Sequence, residues 1–246
     1  MEIVRHPMKF PVEAVYGMHN WPGVPVGKFA LRPGPMMASF DIFEITVKGK
    51  GAHAALPHLG IDAVVTAAQI ATGLQTITSR NTHPLDSAVV SITQIHGGDT
   101  WNVIPEEVVL RGTARSFKPR LQHKIEAAIR RIAEGCAAAM GASVDVRYER
   151  RYPPTVNSAA EAEIAADTAA EVVGEANVDR DLTPTMGSED FAFMLQAKPG
   201  CYIFIGNGGD KTPGLHSPHY NFNDEILPLG ASYWVRLVER VLAKAA

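Results

Sequence analysis

The feature that most restricts how this 246-residue chain can fold is a repeated change of hydrophobic period between Phe40 and Tyr152. FDIFEITVKG alternates apolar and polar residues, the pattern of a strand buried on one face. From Ile61 to Thr78 the spacing becomes helical, with Ile61, Val64, Ala68, Ala71, Leu74 and Ile77 on one stripe. Strand-like segments return in SAVVSITQIHG and EEVVLRGTARSF, joined by the loop GGDTWNVIP. A second helical stripe runs through Leu121, Ile125, Ala128, Ile129, Ile132, Cys136 and Met140, and Gly141 is placed to cap it. SVDVRYERRY is a last strand before Pro153 and Pro154. The order β-α-β-β-α-β is the ferredoxin-like, split βαβ arrangement, a four-stranded sheet with both helices on one face. Its edges suit pairing with a second copy.

Residues 39–152 therefore read as a domain inserted into another, whose pieces are residues 1–38 and 153–246. Those flanks hold a short strand, AVYGMHN, a Pro/Gly-rich run, a helix from Ala159 to Val173, and MGSEDFAFMLQA, where Ser188 is placed to cap a helix. A buried strand, CYIFIGN, a polar loop with two histidines and a C-terminal amphipathic helix follow. The fold class is α/β with an inserted α+β domain. The flanks supply few strands for the helices they carry. Residues around Tyr202–Ile205 and Leu237–Leu242 are accordingly expected to be unusually exposed.

A formal net charge of -3 gives no clustered basic surface for nucleic acid. The basic cluster Arg147–Arg151 is broken by Tyr148 and Glu149 and reads as a solvated strand end. No apolar run approaches the roughly 20 residues that span a bilayer, and MEIVRHPMKF lacks the pattern of a secretory leader. A cytoplasmic protein with no membrane partner is the expectation. Cys136 and Cys201 sit far apart in apolar settings, as buried free thiols do.

Several polar residues are candidates for chemistry, each with a plain alternative. His19 ends the first strand, where a lone histidine is more often structural. LHSPHYNFNDE gathers His216, His219, Asp224 and Glu225, ligand types for a hydrolytic divalent ion, although His-x-x-His on a loop is weak evidence. His53 and His58 lie in the Gly/Pro-fixed loop GKGAHAALPHLG. Asn102 is a neutral donor suited to an oxyanion, or an ordinary turn residue. Arg115 can grip a carboxylate bidentately, or lie exposed on its strand. Glu189 and Asp190 open a helix, where acids favour the positive end of the dipole.

Taken in order, AVYGMHNWPGVPVG, KGKGAHAALPHLGIDAV, IHGGDTWNVIPEEVVLRGTARSF, MGSEDFAFML and LHSPHYNFNDEIL resemble the aminoacylase, acetylornithine deacetylase and succinyl-diaminopimelate desuccinylase family of metallopeptidases. They are most similar to its amidohydrolase branch, which includes hippurate and auxin-conjugate hydrolases. The resemblance implies hydrolysis of N-acyl or N-aroyl amino acids with two divalent ions (Zn, Mn or Co). It implies His19 and His216 as metal ligands, His53 as the histidine that polarises the scissile carbonyl in a partner's site, and Asn102 as a contact to substrate or oxyanion. Arg115 resembles a substrate-carboxylate contact and Glu189 a residue near the metals. The inserted unit corresponds to a lid that forms homodimers.

The family's remaining donors, and the glutamate that serves as general base, precede the strand ending in His19. Only eighteen residues stand there, without a GCGHD-like motif or a Glu-Glu pair. The single such pair, Glu106–Glu107, lies in the inserted unit. The sequence is therefore read as the C-terminal part of the enzyme, a non-catalytic dimerisation fragment, or one half of a split enzyme. By itself it is expected to be inactive.

Overall fold

A computed structural model describes residues 12–209 and 211–242. In chain order its elements are β1 (Val15–Pro22), β2 (Phe29–Ala30), β3 (Gly34–Met37), β4 (Phe40–Lys48), β5 (Ala52–His53), α1 (Ala63–Leu74), α2 (Thr76–Arg80), β6 (Ala88–His96), β7 (Val103–Ile104), β8 (Glu107–Ser116), α3 (Pro119–Ala139), β9 (Ser143–Tyr152), β10 (Thr155–Asn157), α4 (Ala159–Val173), β11 (Val178–Asp179), α5 (Ala192–Ala197), β12 (Gly200–Gly208) and α6 (Leu227–Val241). They form two compact units. One comprises the described residues up to Met37, Thr155–Thr185, and those from Glu189 onward; the other comprises Ala38–Pro154 with Met186–Ser188.

The second unit is an antiparallel sheet of order β6-β8-β4-β9. β4 alternates half-buried and buried positions, and Phe43, Ile45 and Val47 meet Ile70, Leu74, Ile125 and Ile129 from α1 and α3 in one core. The opposite face carries pairs such as Arg111 Nε to Glu44 Oε2 at 2.7 Å. A depression of about 400 Å³ on that face is bordered by none of the candidate residues.

Local chemistry fixes the helix ends. Asp62 caps α1 by accepting from the amides of Val64 and Val65 at 2.8 and 3.0 Å. Gly141, at φ 71°, follows the end of α3, and Ala142 donates back to the Ala137 carbonyl. The sequence suggests one helix to Thr78, yet the helix breaks at Gln75. Thr72 and Thr76 hydroxyls bond the carbonyls of Ala68 and Gly73 there, the local competition that interrupts helices. Asp41 is buried where β4 meets α3, accepting from Gln122 Nε2 at 2.7 Å and Tyr148 Oη at 2.6 Å.

In the first unit the sheet order is β1-β12-β2-β11, with β1 parallel to β12 and β12 antiparallel to β2. The central strand β12 is buried almost throughout. Cys201, Ile203 and Ile205 pack with Phe29, Tyr233 and Leu237 beneath α4 and α6. Tyr202 and Phe204 pack on the other face with Met36, Met37 and Trp21. The exposure expected at Tyr202–Ile205 is thus absent, because both faces of the strand are covered. In the C-terminal helix Leu237 is buried, and exposure falls on Val238, Val241 and Leu242.

Gly112 tests the packing of the second unit. A Cβ there would lie 2.2 Å from the Ser91 carbonyl oxygen and 2.3 Å from the Phe43 ring. Backbone cannot yield cheaply, so Gly112→Ala should destabilise by about 1–3 kcal/mol. Urea denaturation should show a lower midpoint with an unchanged slope.

Candidate functional site

β1 and β12 run parallel, and the polar residues of the first unit gather at their carboxyl ends, where ligands bind in sheets of this kind. His19 pairs with Phe204 in the ladder and is ringed edge-on by Trp21, Tyr202 and Phe204, with centroids 5.6–6.4 Å away. Its Nδ1 lies 2.5 Å from the Asn20 carbonyl, which can only accept. Nδ1 is therefore the donor in that contact, and Nε2 has no partner in it. That is the arrangement in which proteins present a histidine to a metal.

The loop bearing His216 and His219 is fastened to the same strand ends. Asn20 Nδ2 donates to the Tyr220 hydroxyl. Asn207, buried on β12, donates to the Asn221 carbonyl at 3.1 Å and accepts from the Asn223 amide at 2.9 Å. Among the described residues His216 is the one non-glycine residue with positive φ, at 64°. A histidine in the left-handed region costs roughly 1 kcal/mol or more, and such strain concentrates at functional positions. A cleft of about 480 Å³ opens beside His19, between β1 and the start of α6.

Glu189 caps no helix of the expected length, since α5 begins at Ala192. Its carboxylate accepts from the Tyr202 hydroxyl at 2.6 Å and from the Asp190 amide at 2.9 Å. Burial pushes its pKa up, but Tyr202, Asp190 and the His19 imidazole together hold it below the usual carboxylate range. The hydrogen bond to Glu189 raises the pKa of Asp190. Ser188 is no helix cap either. Its hydroxyl, in the second unit, accepts from Arg115 Nη1 at 3.1 Å.

Arg115 also lies 4.2 Å above the Phe40 ring and makes no ion pair among the described residues. Burial lowers its pKa, and the Asp41 carboxylate opposes that shift. His53 and Asn102 are brought together by the two-residue strands β5 and β7, which pair His53 with Val103. The Ala54 amide donates to the Asn102 carbonyl at 2.9 Å. His53 Nδ1 accepts from the Ala55 amide at 3.1 Å, so its Nε2 carries a hydrogen and serves as a donor. Both side chains are exposed.

Tyr202, Asn20, Tyr220 and Asn207 stand out only in the structure. In the sequence they are an apolar-strand tyrosine and ordinary polar residues of strand ends and a loop. Only the partners that folding supplies distinguish them.

The imidazoles of His19 and His216 suit a divalent ion by donor chemistry. Among the described residues, however, no three His, Cys, Asp or Glu side chains are grouped so as to hold one. No described helix is long and apolar enough to cross a membrane.

This mixed α/β fold matches that of a solved metal-binding peptidase. Residues 2–240 match the model of peptidase family M20/M25/M40, and the chain belongs to that family of peptidases and amidohydrolases. It is 38% identical to N-acetylcysteine deacetylase of Bacillus subtilis over 94% of this chain and 60% of that protein. It is 36% identical to IAA-amino acid hydrolase ILR1-like 4 of Arabidopsis thaliana, over 94% and 54%. With hippurate hydrolase of Campylobacter jejuni it shares 35% identity, over 95% and 61%. The structure superposes on the YXEP protein of Bacillus subtilis, a dinuclear metal-binding peptidase, with TM-score 0.79 and 33% identity. That match covers 95% of this chain and 58% of the other. The chain thus spans little more than half the length of these relatives.

Two substitutions probe the site. Tyr202→Phe removes a donor to Glu189, at a cost of about 1 kcal/mol. A carboxyl whose folded pKa is depressed adds stability above its unfolded pKa and loses it as pH falls through the folded one. The cost of Tyr202→Phe should therefore be largest at neutral pH and fade in acid, as read by urea denaturation. At position 216 the histidine serves no packing role, and asparagine tolerates φ 64° better. His216→Asn should leave thermal stability unchanged or slightly higher.

Proposed function

We propose that this chain serves a metal-dependent amidohydrolase of N-acyl and N-aroyl amino acids, giving His19 and His216 to a dinuclear centre completed by donors outside the described residues. The observation that carries the reading is the clamp on His19, which frees Nε2 for a metal at the carboxyl end of β1. The strained backbone of His216 on a loop tied to the same strand ends supports it.

Bound Zn, Mn or Co would acidify water and polarise the amide carbonyl. His53, through Nε2–H, and Asn102 are assigned to that carbonyl. Arg115 is assigned to the substrate carboxylate, and Glu189 holds negative charge beside His19. Residues 39–152 act as the lid and as the dimerisation domain, through the unpaired edge of β6, and the flanking pieces as the catalytic domain. Two neutral imidazoles without bridging carboxylates hold a metal pair weakly. By itself the chain should hydrolyse hippurate negligibly.

Metal titration by calorimetry tests the proposal. Zn²⁺ or Mn²⁺ should bind the chain, with affinity falling about 10–100-fold in His19→Ala and in His216→Ala. Equal affinity in all three proteins removes the metal assignment. Two tightly retained ions per chain together with brisk hippurate hydrolysis would instead show a complete centre.

A further inference from the structure

Residues 211–223 join β12 to the turn before α6 and carry His216, yet none of them is buried, and His216 itself is exposed. Apolar packing therefore does not hold this loop in place. Its own turns fix local shape, with the Ser217 amide on the Gly214 carbonyl at 3.2 Å and the Tyr220 amide on the Ser217 carbonyl at 3.0 Å. They do not fix where the loop lies on the sheet. A histidine at φ 64° keeps that conformation only where its surroundings over-determine it.

Three hydrogen bonds tie the loop to the sheet, and two asparagines near the carboxyl ends of β1 and β12 make them all. Asn20 follows His19 and serves both candidate ligands. Its main-chain carbonyl accepts from His19 Nδ1, and its side-chain amide donates to the hydroxyl of Tyr220, four residues beyond His216. Asn207 stands between Gly206 and Gly208. A Cβ on those glycines would lie 2.0 Å from the Pro25 carbonyl oxygen and 2.2 Å from Thr212 Oγ1, so side chains are excluded on either side of Asn207. Its own amide is buried and spends both ends on the backbone of Asn221 and Asn223.

We propose that Asn20 is a positioning residue for both imidazoles: its carbonyl orients His19, while its carboxamide, through Tyr220, holds the loop that carries His216. Asn207 secures the same loop one to three residues further on. The proposal rests on the reading of His19 and His216 as ligands of one centre. Two ligands from segments far apart in sequence bind an ion better when both are placed before it arrives, because less ordering remains to be done on binding. Groups that orient metal ligands without touching the metal affect affinity for that reason. Loss of the Asn20–Tyr220 tie thus weakens metal binding although no donor atom is removed.

The test is Zn²⁺ binding to the full chain, by calorimetry, for wild type, Asn20→Ala, Tyr220→Phe and the double variant, each repeated in the His216→Ala background. Each single variant should bind about fivefold more weakly, the worth of one hydrogen bond. The double variant should lose no more than either, because both substitutions remove the same bond. In His216→Ala neither should have a further effect, an outcome that general destabilisation would not give. Tyr220→Phe keeps the ring and removes only a hydroxyl, so its thermal melt should match wild type and keep the test open should Asn20→Ala fold poorly. Wild-type affinity in Tyr220→Phe overturns the proposal and leaves the metal reading standing. So does a weakening that persists undiminished in His216→Ala, which would make the tie a general support of the unit. A wild-type chain that binds no Zn²⁺ overturns both.

Discussion

The chemistry of the first unit depends on one strand, β12, being buried on both faces while its carboxyl end stays polar. Aliphatic residues seal one side against α4 and α6, and Tyr202 and Phe204 form the other side with Trp21. That second aromatic layer is the wall against which His19 stands. The same tyrosine that packs there turns its hydroxyl to Glu189, so one residue belongs to both core and site. Beyond Ile205 the strand becomes Gly206, Asn207 and Gly208, and Asn207 uses both ends of its amide to fasten the histidine loop. Core and site are successive parts of a single strand.

The second unit solves a different problem. Its long strands bury one face against two helices, while the residues with chemical promise sit on two-residue strands at its margin. A large sheet gives rigidity, and small side pairings give presentation. Arg115 shows the same division: its strand is central, yet its guanidinium reaches Ser188 and the Phe40 ring. Burial lowers the pKa of that cation while the Asp41 carboxylate opposes the shift.

What the sequence reveals follows from the range over which each interaction acts. Alternation in β4 and the stripes of α1 and α3 are local patterns, and the β-α-β-β-α-β order is legible from them. The break at Gln75 is not, because hydroxyl competition by Thr72 and Thr76 is invisible to hydrophobic period. Ser188 has the composition of a helix cap, but a partner distant in sequence claims its hydroxyl. His53 and Asn102 each lose on spacing to ordinary turn chemistry, and only the pairing of β5 with β7 unites them. The left-handed backbone of His216 likewise has no signature in composition. Motif order indicated the family, whereas the reasons for each motif are contacts made at long range.

The pairing of Val15 with Gly200 also dictates when each unit can form during synthesis. Nearly all of the ferredoxin-like unit is one continuous stretch, Ala38–Pro154, and its contacts become available before the rest of the chain exists. β1 precedes that stretch and β12 follows it, so β1 stays unpaired with β12 until the whole intervening unit has been made. Closing so long a loop is entropically costly for an unstructured chain. An intervening unit that folds as its own body would replace a flexible loop with a compact one. The inserted unit thus separates β1 from β12 in time as well as in sequence.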